Sequence, residues 1–162
     1  MITKATIKDI PLIQDLAEKS WRSHYPGIIS HEQIDFMLVV MYSEEEITRQ
    51  FNNPNYHYYL LGDAENFYGI MGFENHYEQN TTKLHRIYIT EEGKGKGLGK
   101  EAILFLKNQI LEVGDQRIIL NVNKENPSYH FYLSQGFKVY EEGVFDIGNG
   151  FVMDDYLMEW NA

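Results

Sequence analysis

Residues 93–100 combine four glycines with three lysines and lead directly into an amphipathic helix. The stretch reads GKGKGLGK. A glycine-rich turn before a helix leaves backbone N–H groups without intrahelical partners, and the helix dipole adds partial positive charge. Glycine also lets the backbone approach a phosphate closely. The stretch therefore predicts either an anion-binding site or a flexible surface loop with solvated lysines.

Two familiar phosphate-binding motifs do not fit these residues. The dinucleotide fingerprint G-x-G-x-x-G fails because Leu98 or Lys100 occupies its last position. The Walker pattern fails because Glu101 follows Gly99-Lys100 where serine or threonine is required. A nucleotide-binding protein of either fold is therefore disfavoured.

The composition limits the possible functions further. A chain of 162 residues fits one domain, expected to span residues 1–162. Since there is no cysteine, thiolate metal sites, disulfides and cysteine nucleophiles are excluded. A formal net charge of −10 disfavours nucleic acid and anionic lipid as partners and suits cationic small molecules. No apolar run approaches the ~20 residues of a membrane helix and no signal peptide is visible, so we expect a cytoplasmic protein.

Helix-start and turn signals divide the chain into alternating helices and strands. Asp9 is a predicted N-cap, and Ser30 with Gln33 and Ser43 with Glu46 have the spacing of capping boxes. In the strand KLHRIYIT, alternation predicts that Leu84, Arg86 and Tyr88 share one face and that His85, Ile87 and Ile89 share the other. The interleaving indicates an α/β fold.

Two blocks of sequence together resemble the GNAT superfamily of acyl-CoA-dependent N-acyltransferases. In the first, LHRIYITEEGKGKGLGKEAI, the family pattern [QR]-x-x-G-x-[GA] falls on residues 94–99, with Lys94 in place of glutamine or arginine. The second, LNVNKENPSYHFYLSQGF, matches the "N…FY…GF" signature at Asn126, Phe131, Tyr132, Gly136 and Phe137. The resemblance spans about residues 84–137 by motif.

The resemblance implies a GNAT-like fold and acetyl-CoA as co-substrate. The fold is a twisted mixed sheet of six or seven strands, with helices on both faces and a splay between strands four and five that holds the acyl-CoA. The pantetheine arm would pair with the backbone of residues 87–89, and the pyrophosphate would meet the N–H groups of residues 95–100. The expected cofactor-binding residues are Ile87, Tyr88, Ile89, Lys94, Gly95, Lys96, Gly97, Leu98, Gly99, Lys100 and Asn126.

The resemblance also implies roles for single side chains. Tyr132 would be the general acid that protonates the departing thiolate, although a core tyrosine is the alternative. His85 is the candidate general base, or else a structural histidine, with Glu74 and His76 on the preceding strand as weaker candidates. Asn126 would hold the pantetheine amide or cap its helix. No metal is expected.

The acceptor site is expected to lie at the first helical region and the closing hairpin. Trp21, Tyr25 and Glu74 are its predicted residues. Asp154 and Asp155 would attract an amine there or remain solvated charges at a strand edge.

The predicted function is N-acetyltransfer from acetyl-CoA to a primary amine, by direct attack on the thioester. A small cationic amine or polyamine is the favoured acceptor. The alternatives are a non-catalytic acyl-CoA-binding or sensing module, and an acetyltransferase acting on a protein amine or an antibiotic. A homodimer is compatible with the tyrosine-rich closing strands.

Overall fold

Seven strands and five α-helices follow one another in a computed structural model that describes residues 1–162. Short 3-10 turns precede the first and fourth helices, at Ile7–Asp9 and Glu91–Gly93. In chain order the elements are β1 (Ile2–Lys4), α1 (Ile10–His24), α2 (His31–Tyr42), α3 (Glu44–Phe51), β2 (Tyr56–Gly62), β3 (Phe67–Glu78), β4 (Thr81–Ile89), α4 (Leu98–Glu112), β5 (Arg117–Asn123), α5 (Ser128–Ser134), β6 (Lys138–Gly148) and β7 (Phe151–Asn161).

All seven strands form one mixed sheet in the order β1-β2-β3-β4-β5-β7-β6. β4 and β5 run parallel, and every other neighbouring pair is antiparallel. Helices α1 to α3 cover one face over a cluster of 15 buried residues, and α4 with α5 cover the other over 14. The predicted mixed sheet with helices on both faces is confirmed. None of the helices is both long and apolar enough to cross a membrane.

Serine side chains begin two of the helices as predicted, but only half of each expected capping box forms. Ser30 Oγ accepts the N–H of Gln33, and Ser43 Oγ accepts the N–H of Glu46, each at 3.1 Å. The Gln33 side chain instead donates to the carbonyl of Val152 at 3.0 Å, and the Glu46 carboxylate binds an arginine of its own helix. Gln33 therefore ties α2 to β7 and helps to fix the closing hairpin.

The predicted N-cap at Asp9 also takes a different partner. Its carboxylate accepts the N–H of Thr6 at 2.8 Å and so closes the turn that precedes α1. Pro11 lies in the first turn of α1, where its missing N–H costs nothing. The apolar face of this helix, which includes Ile13 and Trp21, is buried.

A β-bulge at His85 changes which side chains share a face of β4. Gly72 pairs with Arg86 but the next residue, Phe73, pairs with Leu84, so His85 is the extra residue. Leu84 consequently packs under α4 with Ile87 and Ile89, whereas His85 and Arg86 both turn toward the α1 face. The predicted alternation was therefore wrong for Leu84 and His85, because one inserted residue reverses the pleat.

A buried carboxylate holds together the end of the sheet where β4 and β5 still pair. Asp115 accepts the backbone N–H of His76 at 2.9 Å, the His76 ring at 2.8 Å and the Thr82 hydroxyl at 2.7 Å. His76 has a positive φ of 56°, so this bonding holds it in a sparsely populated conformation. His76 does not line the cavity described below, which removes it as a candidate base.

Candidate active site

The candidate site lies where β4 and β5 separate. The two strands pair at only three positions, of which Lys83 opposite Ile119 is the last, although β4 continues to Ile89 and β5 to Asn123. Beyond that point a cavity of about 540 Å³ opens between them. This volume is in the range of small-molecule sites. The predicted splay between strands four and five is thus present.

The backbone of β4 presents alternate residues to this gap. The N–H of Thr90 donates to the carbonyl of Tyr68 at 2.8 Å, and Tyr88 lies opposite Ile70, two residues further along the same ladder. In an antiparallel pair, the backbone groups of successive residues point alternately toward and away from the partner strand. The N–H and C=O of Tyr88 therefore point to β3, while those of Ile87 and Ile89 point to the gap. The sequence prediction grouped all three residues. The structure leaves only Ile87 and Ile89 with free backbone groups, and Tyr88 meets the cavity through its side chain.

The glycine stretch forms the loop between β4 and α4 and offers a run of free amides. The first intrahelical bond runs from the N–H of Glu101 to the carbonyl of Gly97, so no backbone N–H from residue 95 to residue 100 has a partner. Gly95 and Gly97 have φ of 79° and 75°, a region that disfavours other residues. A Cβ at either glycine would meet no atom within 4 Å. The loop is therefore an open cradle of N–H donors suited to an anion.

The other two glycines of the stretch serve packing. A Cβ on Gly93 would lie 2.5 Å from the Cβ of Tyr68, and one on Gly99 would lie 3.2 Å from the ring of Phe131. Gly93 thus lets the loop lie against β3, and Gly99 lets the first turn of α4 approach α5.

The three lysines of the loop differ in position. Lys94 and Lys100 line the cavity, and Lys94 also pairs with Glu91 at 2.8 Å. Lys96 does not line the cavity; its ammonium lies 5.1 Å from the centre of the Tyr68 ring. Two of the three predicted lysines therefore line the cavity, and their contact with a cofactor stays a prediction.

Tyr132 and Asn126 enter the cavity from the α5 side. Tyr132 is buried, its hydroxyl makes no hydrogen bond within the protein, and burial raises its pKa well above the ordinary range. The phenol is thus protonated at neutral pH and can donate a proton. The Asn126 Oδ1 accepts the N–H of Ser128 at 2.9 Å and lies 2.8 Å from Nε2 of His24. Asn126 therefore caps α5, as predicted, and also joins it to the end of α1.

The predicted acceptor residues of α1 lie at the far end of the same cavity. Trp21 and Tyr25 are buried cavity-lining residues whose ring centres are 4.4 Å apart, and Trp21 also packs against Tyr88 at 5.5 Å. Met37 and Met41 of α2 complete this wall. The arrangement is an aromatic and apolar end wall.

The third predicted acceptor residue, Glu74, does not line the cavity. Its carboxylate lies 3.0 Å from Nε2 of His85 and also accepts a hydrogen bond from Asn53. It reaches the site only through His85, so its predicted contact with the acceptor is not supported.

His85 lines the cavity and stacks on Tyr56 with ring centres 5.2 Å apart. Burial lowers the pKa of His85, and the hydrogen bond to Glu74 opposes that effect. The imidazole is consequently neutral and retains a lone pair. Its role as general base stays a prediction.

Two charged side chains complete the site: Arg86, which was not predicted as a site residue, and Asp155, which was predicted with Asp154 either to attract an amine or to remain solvated. Arg86 is 6% exposed, donates to the Tyr58 hydroxyl at 2.9 Å and lies 4.3 Å from the centre of the Tyr42 ring, with no carboxylate in salt-bridge range. Asp155, on β7, also lines the cavity. The sequence signal for Asp155 is its place two residues after the buried Met153, on the same strand face.

The model of the acetyltransferase (GNAT) family matches residues 13–137. The spermidine N(1)-acetyltransferase of Thermoplasma acidophilum is 28% identical over 156 residues, with 94% of each chain covered. The solved structure of PaiA N-acetyltransferase from Thermoplasma acidophilum, in complex with coenzyme A, has a TM-score of 0.84 at 24% identity, covering 100% of this chain and 98% of that one. The spermidine/spermine N-acetyltransferase SpeG of Vibrio cholerae has a TM-score of 0.70 at 21% identity, covering 99% and 93%.

Proposed function

Because the chain belongs to the GNAT acetyltransferase family, we propose that it acetylates a small cationic amine of the polyamine class. The chain is an acyltransferase rather than a binding module, and acetyl-CoA is its acyl donor. The identity of the acceptor and the roles of single residues are the proposed parts.

One observation carries the proposal. A single cavity reaches from the free amides of the glycine loop, past the unpaired backbone of β4, to the aromatic wall at the end of α1. A donor held by the loop and an acceptor held against Trp21 and Tyr25 would therefore meet between β4 and β5. Holding two reactants in line is the main contribution an enzyme makes to a bimolecular transfer.

The residues present fit acetyl-CoA. The free N–H groups of residues 95–100, with Lys100 beside them, would bind the pyrophosphate. The backbone groups of Ile87 and Ile89 would hydrogen-bond the pantetheine arm as a neighbouring strand does. The Asn126 side chain would face that arm from α5 while capping its own helix.

The proposed reaction needs three functions of the protein. His85 would accept a proton from the ammonium so that the amine nitrogen can attack the thioester carbonyl carbon. The N–H of Ile89 would stabilise the oxyanion that forms as the carbon–nitrogen bond is made. When the carbon–sulfur bond breaks, Tyr132 would give its proton to the departing thiolate, and the second proton lost from the attacking nitrogen would restore the phenol as the amide forms.

The acceptor class is supported by two independent features. The relatives from Thermoplasma acidophilum and Vibrio cholerae carry names that specify spermidine or spermine. The chain itself has a formal net charge of −10, which attracts polycations. Both features favour a polyamine over a neutral amine.

Arg86 favours a second candidate acceptor. Its buried guanidinium lines the cavity without a carboxylate partner, and a buried cation gains most from an anion that it can bind directly. An acceptor that carries a carboxylate beside its amine, such as an amino acid, would supply one.

The test is a panel of amines incubated with acetyl-CoA, with release of free thiol as the measurement. The panel contains polyamines, amino acids, an aminoglycoside and a lysine-containing peptide. We expect the highest kcat/KM with a polyamine. Faster turnover of amino acids would select the second candidate, and thermal stabilisation by acetyl-CoA without thiol release from any amine would overturn both.

A further inference from the structure

Asp155 is a buried carboxylate in the acceptor half of the cavity. It lies on β7 opposite Asn123 of β5, and it is 7% exposed. The strand places it on the same face as Met153, which also lines the cavity. Asp155 is therefore inside the site rather than at a solvated strand edge.

The carboxylate of Asp155 has no charged partner in salt-bridge range, and the neutral side chain of Asn121 is its only hydrogen-bonding neighbour. Its Oδ1 is buried without any hydrogen bond, and the side chain forms no salt bridge. Its neighbour Asp154 is half-exposed and pairs with Lys124 at 3.1 Å. A buried, unpaired carboxylate is strongly unfavourable, so its presence beside a cavity indicates a cationic partner that comes from outside the protein.

No cation of the protein forms an ion pair with Asp155, and the charge of Lys83 offsets the effect of burial on its pKa only weakly. The ammonium of Lys83 lies 4.9 Å from the centre of the Tyr77 ring, and Arg86 is engaged by Tyr42 and Tyr58. The other titratable side chains around the acceptor half come from four elements. They are His24 at the end of α1, Tyr25 directly after it, His85 and Tyr88 of β4, Tyr132 of α5 and Asp154 of β7.

We propose that Asp155 binds the ammonium group of the acceptor and so determines that this enzyme selects amines. The proposal deepens the proposed function and rests on it. An ammonium gives the carboxylate a charge-assisted hydrogen bond, which is the interaction the folded protein lacks. Tyr25 and Trp21 would then enclose the carbon chain next to the amine.

The experiment compares Asp155→Asn with Asp154→Asn in the full-length protein, using the best amine of the panel. We expect Asp155→Asn to raise KM for the amine at least about tenfold, since a lost charge-assisted hydrogen bond is worth that much or more. KM for acetyl-CoA should change little. The exposed control Asp154→Asn should leave both constants close to wild type.

A thermal unfolding measurement separates a binding role from a structural one. We expect Asp155→Asn to raise the melting temperature at pH 8, because it removes an uncompensated buried charge. A lowered melting temperature would identify Asp155 as a structural residue and overturn the proposal. So would an unchanged KM for the amine. If the wild type acetylates no amine at all, the proposed function has failed, which is a different outcome from failure at Asp155.

Discussion

At the scale of single residues, the site depends on polar groups whose surroundings suppress their charged forms. Burial raises the pKa of Tyr132 and of Tyr88, and it lowers the pKa of His85. A protonated phenol and a neutral imidazole are the forms that acid and base catalysis need at the start of an amine acetylation. Burial by the surrounding core thus keeps both groups uncharged before a substrate binds, although it also weakens the phenol as an acid and the imidazole as a base.

Tyr132→Phe tests the acid role. We expect kcat to fall by about 10²-fold, the lower end of what a general acid contributes, with KM for acetyl-CoA nearly unchanged. The physical reason is that phenylalanine keeps the ring packing against Phe131 and Phe137 but cannot protonate the thiolate. Steady-state thiol release at saturating amine measures the effect.

Tyr129→Phe is the matched control, because Tyr129 lies on the same helix but does not line the cavity. It should leave kcat near wild type. An unchanged kcat for Tyr132→Phe would remove Tyr132 from the acid role.

At the scale of elements, the important unit is the loop that joins β4 to α4. Its amides are free because the helix begins at Leu98, and they stay accessible because Gly95 and Gly97 adopt positive φ. The bulge lies in the middle of the strand that leads into this loop. By inserting His85, it turns both His85 and Arg86 toward the acceptor side while Ile87 and Ile89 keep their free backbone groups in the gap.

Gly97→Val tests the loop, and Gly114→Val is its control. Both glycines have positive φ, at 75° and 87°, and an added Cβ meets no atom within 4 Å at either position. Each variant should lose roughly 1–2 kcal/mol of stability from left-handed strain. Only Gly97→Val should weaken acetyl-CoA binding, by at least about tenfold, because its side chain stands in front of the amides that bind the anion.

Calorimetric titration with acetyl-CoA, together with urea unfolding, measures both quantities for each variant. Equal affinity of Gly97→Val and Gly114→Val for acetyl-CoA would contradict the assignment of the loop as the pyrophosphate site.

At the scale of the whole molecule, β4 and β5 are hydrogen-bonded at one end of the sheet and separated at the other. Asp115 and its partners hold β4 and β5 together near Thr82, and the strands separate beyond Lys83. The two clusters of buried residues on opposite faces support the sheet on either side of the gap. The molecule can therefore tolerate an unpaired stretch of parallel sheet and a buried carboxylate in its centre.

The pH dependence of the free energy of unfolding should reveal the burial of the Asp155 carboxylate. Burial raises the pKa of Asp155 to about 6, above its ordinary value of about 3.9. Between about pH 4 and pH 6, Asp155 is therefore protonated in the folded protein but ionised in the unfolded chain. As the pH rises through 6 the folded protein also loses this proton, and its free energy of unfolding falls. Asp155→Asn should gain about 1–2 kcal/mol at pH 8, or about 2–8 °C in Tm, and almost nothing at pH 4.

Thermal unfolding of wild type and Asp155→Asn at several pH values checks this expectation. A difference in Tm that does not change between pH 4 and pH 8 would mean that the carboxylate carries no burial penalty.

Much of the fold and of the donor site could be predicted from the sequence. Local signals suffice for helix starts at Ser30 and Ser43, for the glycine loop before α4 and for the short helix after Asn126, since each depends on neighbouring residues. The cofactor loop is local in the same sense, because a helix N-terminus and its glycines are contiguous. From these local features, the chain's family and its acyl donor can be predicted from the sequence alone.

Tertiary structure alone decided the acceptor side. The bulge at His85 depends on the register between β3 and β4, which no single strand encodes, and it reversed the expected faces of Leu84 and His85. Three further features depend on how the elements pack where α1, β4 and β7 meet. Asp155 is buried, Glu74 does not line the cavity, and Arg86 has no carboxylate partner. The physical reason is that burial and charge compensation are properties of a residue's neighbours in space, and those neighbours lie on other elements of the fold, as Tyr58 of β2 does for Arg86 of β4.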